Sequence, residues 1–280
     1  MQKMNSMVRK PVVAGQFYPG SPAALRDTVA ALLTGRASGT PDAQEDAIGV
    51  VSPHAGYPYS GSVAAEVFRS IRPKGTYIIL GPNHSGMGGP FGISRATAWK
   101  TPLGETAVHT ELADALIKRS RYVRYDDLPH AREHSIEVQL PFVQYLDPAC
   151  RFVPMVIADA PLDMYRAVGM DIASAIRALG LTGKVTIIAS SDMTHYESRA
   201  SAKKKDAFAI DAIIRLDEAE LVAQVSRHEI TMCGYAPTAI MLAAAKELGA
   251  SHARLIAYRT SGDATGDYSS VVAYAGFIIT

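Results

Sequence analysis

TYIILGPNHSGMGG, residues 76–89, begins as a short apolar run rich in β-branched residues and breaks at once into a loop of Gly, Pro, Asn and His. Its length is that of a buried strand, and the Gly and Pro residues that end it are turn formers. The same event occurs twice more, in VVSPHAGYPYSG (50–61) and IIASSDMTHYES (187–198). Three apolar runs that each open into a polar loop are the signature of strands whose ends carry a site.

Working outward, strands are expected at 47–52, 76–80, 152–157, 185–189, 254–258 and 271–279. Between them, 23–33, 61–71, 110–118, 135–145, 164–179, 202–216 and 237–248 carry apolar residues at helical spacing. This alternation predicts an α/β fold, a central sheet with helices on both faces. Pro141 falls inside the 135–145 pattern and must kink that helix or start a new turn, because it has no N–H to donate. GRASGTPDAQED (35–46) reads as a surface loop, and nothing else marks a boundary, so residues 1–280 are expected to form a single domain.

Composition narrows the function. With 48% hydrophobic and 20% charged residues the chain is an ordinary globular one, and 28 Lys and Arg against 27 Asp and Glu leave a net charge of +1. No basic field is available for nucleic acid. No apolar segment approaches the length of a membrane span, and the polar, basic N-terminus lacks a signal-peptide core. Two Cys, Cys150 and Cys233, do not make a disulfide framework. A cytoplasmic location and a small-molecule or peptide partner are therefore expected.

In an open α/β sheet, ligands bind beyond the carboxyl ends of the strands. His54, Asn83, His84, Asp192 and His195 follow such ends and are expected to meet there. His134 and Glu137, three apart in HAREHSIEVQLPF (130–142), suit either metal coordination or a simple pair on one helical face. Cys150, in DPACRF, reads as a small buried hydrophobe. Cys233, in ITMCGYAPTAIM (230–241), lies in a turn where a thiolate would suit copper, zinc or iron. In SGDATGDYSS (261–270), Asp263 and Asp267 read as turn residues, with a place lining the site as the alternative. The chain has no GxxxxGK[ST], no GxSxG and no CxxC, and Phe91 spoils the dinucleotide spacing in GMGGPFG (86–92).

RKPVVAGQFYPGS, SPHAGYPYSG, GPNHSG, TPLGE, EHSIEVQLPF, SSDMTHY, CGYAP and GDYSSVVAYAG occur in this order. Together they resemble the Memo family, also called the AmmeMemoRadiSam system protein B group, over nearly the whole chain. That family is in turn similar to class III, LigB-type extradiol dioxygenases, which implies a mixed central sheet flanked by helices. The resemblance implies His54 and His84 as metal ligands, with Cys233 at the position where the Memo family has Cys. His195 matches the acid/base position and His134 a second substrate-facing His. Iron or copper is the implied cofactor, with zinc also suited to the donors. A thiolate in place of the dioxygenases' carboxylate shifts the preference toward softer metals.

These residues are consistent with a redox enzyme acting on a small oxygenated or phenolic molecule. In this reading His195 takes a proton, Asp192 orients His195 by accepting from its other ring nitrogen, and Tyr57, Tyr59 and Tyr196 wall the pocket. A second reading is a groove-binding protein with a vestigial site. The resemblance there implies radical-SAM and AMMECR1-type partners, or a phosphotyrosine peptide. A third is metal-dependent hydrolysis at the same His and Asp residues.

Overall fold

Four apolar runs are buried along their whole length or nearly so, which only a strand covered on both faces can be. In the computed structural model, which describes residues 7–35 and 44–280, they form the parallel centre of the sheet. In chain order the strands are β1 (Val8–Arg9), β2 (Gly49–Ser52), β3 (Thr76–Pro82), β4 (Phe91–Ile93), β5 (Ala98–Thr101), β6 (Gly104–Val108), β7 (Arg124–Tyr125), β8 (Arg151–Ile157), β9 (Val185–Ser190), β10 (His195–Glu197), β11 (Ala253–Thr260) and β12 (Val271–Ile279). The helices are α1 (Pro22–Thr34), α2 (Tyr57–Ser70), α3 (Thr110–Arg119), α4 (Leu140–Leu146), α5 (Leu162–Ala178), α6 (Arg199–Ile214), α7 (Glu218–Arg227), α8 (Tyr235–Glu247) and α9 (Gly262–Thr265), with a 3-10 turn at Glu137–Gln139.

The sheet runs β1-β5-β6-β8-β3-β9-β2-β12-β10, with β11 on the other side of β12 and β4 between β7 and β8. Strands β8, β3, β9 and β2 are parallel neighbours. Antiparallel β12 follows β2, and antiparallel β10 and β11 follow β12, so the sheet is mixed. Side chains alternate across it. Ile78 and Leu80 of β3 join a core with α5 and α8, and Tyr77 and Ile79 join a second core with α1, α2 and α4. The described residues thus form one α/β domain with a core on each face of its sheet. None of their helices is long and apolar enough to cross a membrane.

All six expected strands and the seven helical patterns occur, with shifted ends. The 135–145 pattern is instead a 3-10 turn followed by α4, with Pro141 in the first turn of α4. There its missing N–H costs nothing, because the first turn has no internal acceptor for it. Residues 36–43 of the expected 35–46 loop lie outside the described residues. Asp263 and Asp267 do make turns: the Asp263 carboxylate accepts from the Thr260 N–H, and that of Asp267 from the Ser269 N–H.

The centre of the sheet positions the site. β9 lies between β3 and β2, so the loops after these three strands emerge side by side. The chain leaves β2 through α2 on one face, while α6, after β9, packs into the opposite core. Such divergence opens a crevice at the carboxyl ends.

Candidate metal centre

His54 follows β2 and is held from two directions. The Oδ1 of Asp192 accepts the N–H of His54 at 2.8 Å and that of Ala55 at 3.3 Å, fixing the loop. The ring Nδ1 lies 2.9 Å from Ser190 Oγ, at the end of β9. Its Nε2 lies 3.4 Å from the sulfur of Cys233.

His84 follows β3. Asn83 shapes this loop rather than entering the site: its Oδ1 accepts from the N–H groups of Ser85 and Gly86, and its Nδ2 donates to the Met87 carbonyl. The His84 backbone N–H donates to Glu133 Oε2 at 2.7 Å, and ring Nδ1 lies 2.9 Å from Oε1. A carboxylate can only accept, so His84 Nδ1 carries hydrogen and Nε2 faces away from Glu133. Glu133 also accepts the N–H groups of His134 and Ser135, both at 2.8 Å. Burial would push this carboxyl up, but the bonds from His84 and the backbone hold it well below the ordinary carboxylate value. Burial conversely disfavours an imidazolium at His84, and Glu133 outweighs that and raises the ring's pKa.

Two glycines permit these approaches. A Cβ on Gly81 would overlap the side chains of Ser135 and Ile136, so only glycine there lets the 133–136 segment close over the end of β3. A Cβ on Gly234 would overlap the Ser190 carbonyl and Ser191, so glycine lets the Cys233 turn close on β9.

The donor atoms of His54, His84 and Cys233 all lie within 4.8 Å of one another. Cys233 Sγ accepts the Asp192 N–H at 3.4 Å. Burial, reinforced by Asp192, pushes its thiol pKa up, so the thiol alone stays neutral. Burial also drives the pKa of His54 well below its ordinary 6.5, which keeps that ring neutral and its lone pair available. His134 stands beside the group, its ring stacked on His84 at 4.8 Å between centroids and edge-on to Phe17 at 4.7 Å. With His84 and Glu133 it forms a second group of donors. Burial lowers its pKa too.

These residues open onto a cleft of about 540 Å³ whose walls include Phe17, Asp192, His195, Tyr196 and Thr231. The backbone of His195 is fixed by Thr231 Oγ1 at 2.7 Å, and its Nδ1 lies 2.9 Å from the Thr231 carbonyl. Nδ1 therefore carries hydrogen, and Nε2 is the free acceptor. This corrects the expected role of Asp192: Thr231 orients His195, while the Asp192 carboxylate clamps the His54 loop. Burial raises the pKa of that carboxyl. Tyr196, which follows His195, takes a left-handed backbone at φ 60° and is 80% exposed at the rim.

The structure thus brings His54, His84, Cys233, His134, Asp192 and His195 to one cleft. It does not bring Glu137, whose carboxylate is buried against Arg9, the N–H groups of Val12 and Val13, and the Tyr18 hydroxyl. Of the three expected tyrosine walls only Tyr196 lines the cleft. Tyr57 is a core residue whose hydroxyl donates to the Val138 carbonyl, and Tyr59 projects outward. Cys150 is buried as expected. Sequence reasoning missed Glu133, Ser190, Thr231 and Phe17. For Glu133 the signal was present, since it directly precedes His134.

The chain matches the family model described as Memo-like protein over residues 9–278. It is 43% identical over 281 residues to a MEMO1 family protein of Methanopyrus kandleri, covering 97% of this chain and 99% of that one. A MEMO1 family protein of Methanosarcina acetivorans is 42% identical over 273 residues, with 97% and 99% covered. Among solved structures, an uncharacterized protein of Escherichia coli K12 shares the fold at a TM-score of 0.50 and 11% identity, over 82% of this chain and 98% of that one. With a model match and relatives that span nearly its full length, the chain belongs to the Memo family.

Proposed function

We propose that the protein holds one metal ion, iron or copper, between His54, His84 and Cys233, and serves as a redox enzyme for a small oxygenated or phenolic molecule bound in the cleft. The observation that carries this is the convergence of two imidazoles and one thiol, from three separate loops, within 4.8 Å. The donors fit such an ion. Two neutral imidazoles and a thiolate suit iron, copper or zinc better than magnesium or calcium. Burial that keeps Cys233 protonated alone is relieved when a cation shares its charge. His84 has the outer carboxylate common to metal-bound histidines.

When bound, the ion supplies redox and Lewis-acid chemistry. The chain supplies the rest. His195, its Nδ1 hydrogen held by Thr231, presents Nε2 to take a proton from a substrate hydroxyl. His134, kept neutral by burial, offers a second polar contact in the cleft. Phe17 and Tyr196 provide apolar surface for a planar molecule. Asp192 keeps the His54 loop in place.

Elemental analysis of protein purified without oxygen or chelator tests this reading. Near-stoichiometric iron or copper is expected in the wild type, a lower content in Cys233→Ser, and background in His54→Ala and His84→Ala. No metal in the wild type after reconstitution with either ion would overturn it.

A further inference from the structure

The geometry points to Ser190, itself held by Gln139, as the positioning residue that fixes the tautomer of His54 and so turns a bare nitrogen toward Cys233. The inference rests on the metal-site reading for its consequence, but the tautomer follows from hydrogen-bond direction alone.

Gln139 is fully buried in the 3-10 turn. Its amide nitrogen lies 3.0 Å from the Pro53 carbonyl oxygen, 3.3 Å from that of Ser52 and 2.8 Å from Ser190 Oγ. Carbonyls accept and cannot donate. Flipping the amide would set its oxygen against two carbonyl oxygens, so the NH2 group faces this side and donates to Ser190. Ser190 Oγ also lies 2.7 Å from the Ser135 carbonyl, a contact that only the hydroxyl's single proton can make favourable. Having spent that proton, Ser190 can only accept from His54 Nδ1 at 2.9 Å. The neutral ring therefore carries hydrogen on Nδ1. Its Nε2, 3.4 Å from Cys233 Sγ, is a lone pair.

Gln139, Ser190, Ser135 and His54 are all fully buried or nearly so. The arrangement also ties His54 to the segment that carries Glu133. Ser135, which receives the Ser190 proton, donates its own N–H to Glu133, the acceptor for His84 Nδ1. The two histidines thus have the same tautomer, set through neighbouring residues of one segment.

Imidazole ¹⁵N spectra of histidine-labelled, metal-free protein at alkaline pH provide the test. Wild type is expected to show His54 protonated at Nδ1 and bare at Nε2. In Ser190→Ala that signature is expected to move to Nε2–H or to a mixture, and affinity for added zinc or iron to fall about 10- to 100-fold, the usual cost of losing a partner behind a ligand. Ser190→Thr, which restores the hydroxyl, is expected to recover both. The Nδ1–H signal of His84 in the same spectra reports that the site is folded. Wild-type His54 protonated at Nε2 would overturn the inference, as would Ser190→Ala with the Nδ1 signature or the metal affinity unchanged. A wild type that shows the Nδ1 signature and binds no metal would reject the metal-site reading and support the tautomer assignment.

Discussion

Glu133 and Glu137 lie four residues apart, and both are buried, at 1% and 0% exposure. A buried carboxylate needs a partner, and the two have partners of different kinds. Glu137 faces Arg9, a cation at every physiological pH, together with two backbone N–H groups and the Tyr18 hydroxyl. Glu133 faces His84, whose charge changes with protonation, and three backbone N–H groups. A permanent partner makes Glu137 a rivet. A partner whose lone pair is free for a ligand makes Glu133 part of the site.

The rivet carries the larger energy. Arg9 reaches Glu137 and also donates to the backbone carbonyls of Glu133 and His130. It thereby pins the N-terminal segment that brings Phe17 to the cleft. Glu137→Ala leaves a buried guanidinium unpaired, and the expected cost is about 3–5 kcal/mol, read from the midpoint of a urea melt. Arg9→Met with Glu137→Leu should recover part of it, since no uncompensated charge then remains. A loss under about 1 kcal/mol for Glu137→Ala would mean that the ion pair does not pin the N-terminal segment.

The Glu133→Gln change should separate the two residues in the opposite sense. A glutamine keeps the volume and one acceptor, so the fold is expected to survive at a cost of about 1–3 kcal/mol. Metal affinity is expected to fall about 10- to 100-fold, because the His84 ring loses its anionic partner. Glu137→Gln should leave metal affinity near wild type. Equal losses in the two variants, measured by competition with a chelator, would erase the distinction.

The same pair shows what could be read from the sequence. A spacing of three, His134 to Glu137, predicts a shared helical face, but helical structure begins only with the 3-10 turn at Glu137, and His134 lies in irregular chain before it. His134 faces the cleft while Glu137 faces the N-terminal segment. Glu133 had only its place beside His134 to mark it, because its role depends on closure of its segment over Gly81, far away in sequence. The parallel strands were legible because burial on both faces leaves an unbroken apolar run. The margins were not: β1 and β7 have two residues each and β4 has three, too few for any pattern. His54, His84 and His195 were legible because each follows a strand end in a turn-rich loop. Ser190 was not, since a serine closing a buried strand looks like any other.

The smallest expected difference is one of pH dependence, and it belongs to Glu133. Its carboxyl, ordinarily at 4.5, is held lower by His84 and the backbone against the effect of burial. A depressed carboxyl adds stability that is present above the unfolded-state value and is lost as pH falls through the folded one. His84, ordinarily at 6.5, is raised by Glu133 against the effect of burial. A raised histidine adds stability that is complete below the unfolded-state value and is lost as pH rises through the folded one. The pair therefore contributes most between 4.5 and 6.5. In metal-free protein the melting-temperature gap between wild type and Glu133→Gln should be widest in that window and narrow toward about pH 9. A guanidinium is not deprotonated in proteins, so Glu137→Gln should show no such narrowing on the alkaline side. A gap for Glu133→Gln that stayed constant from about pH 5 to 9 would mean that His84 stays neutral across the range, and that Glu133 acts on it as a hydrogen-bond acceptor alone.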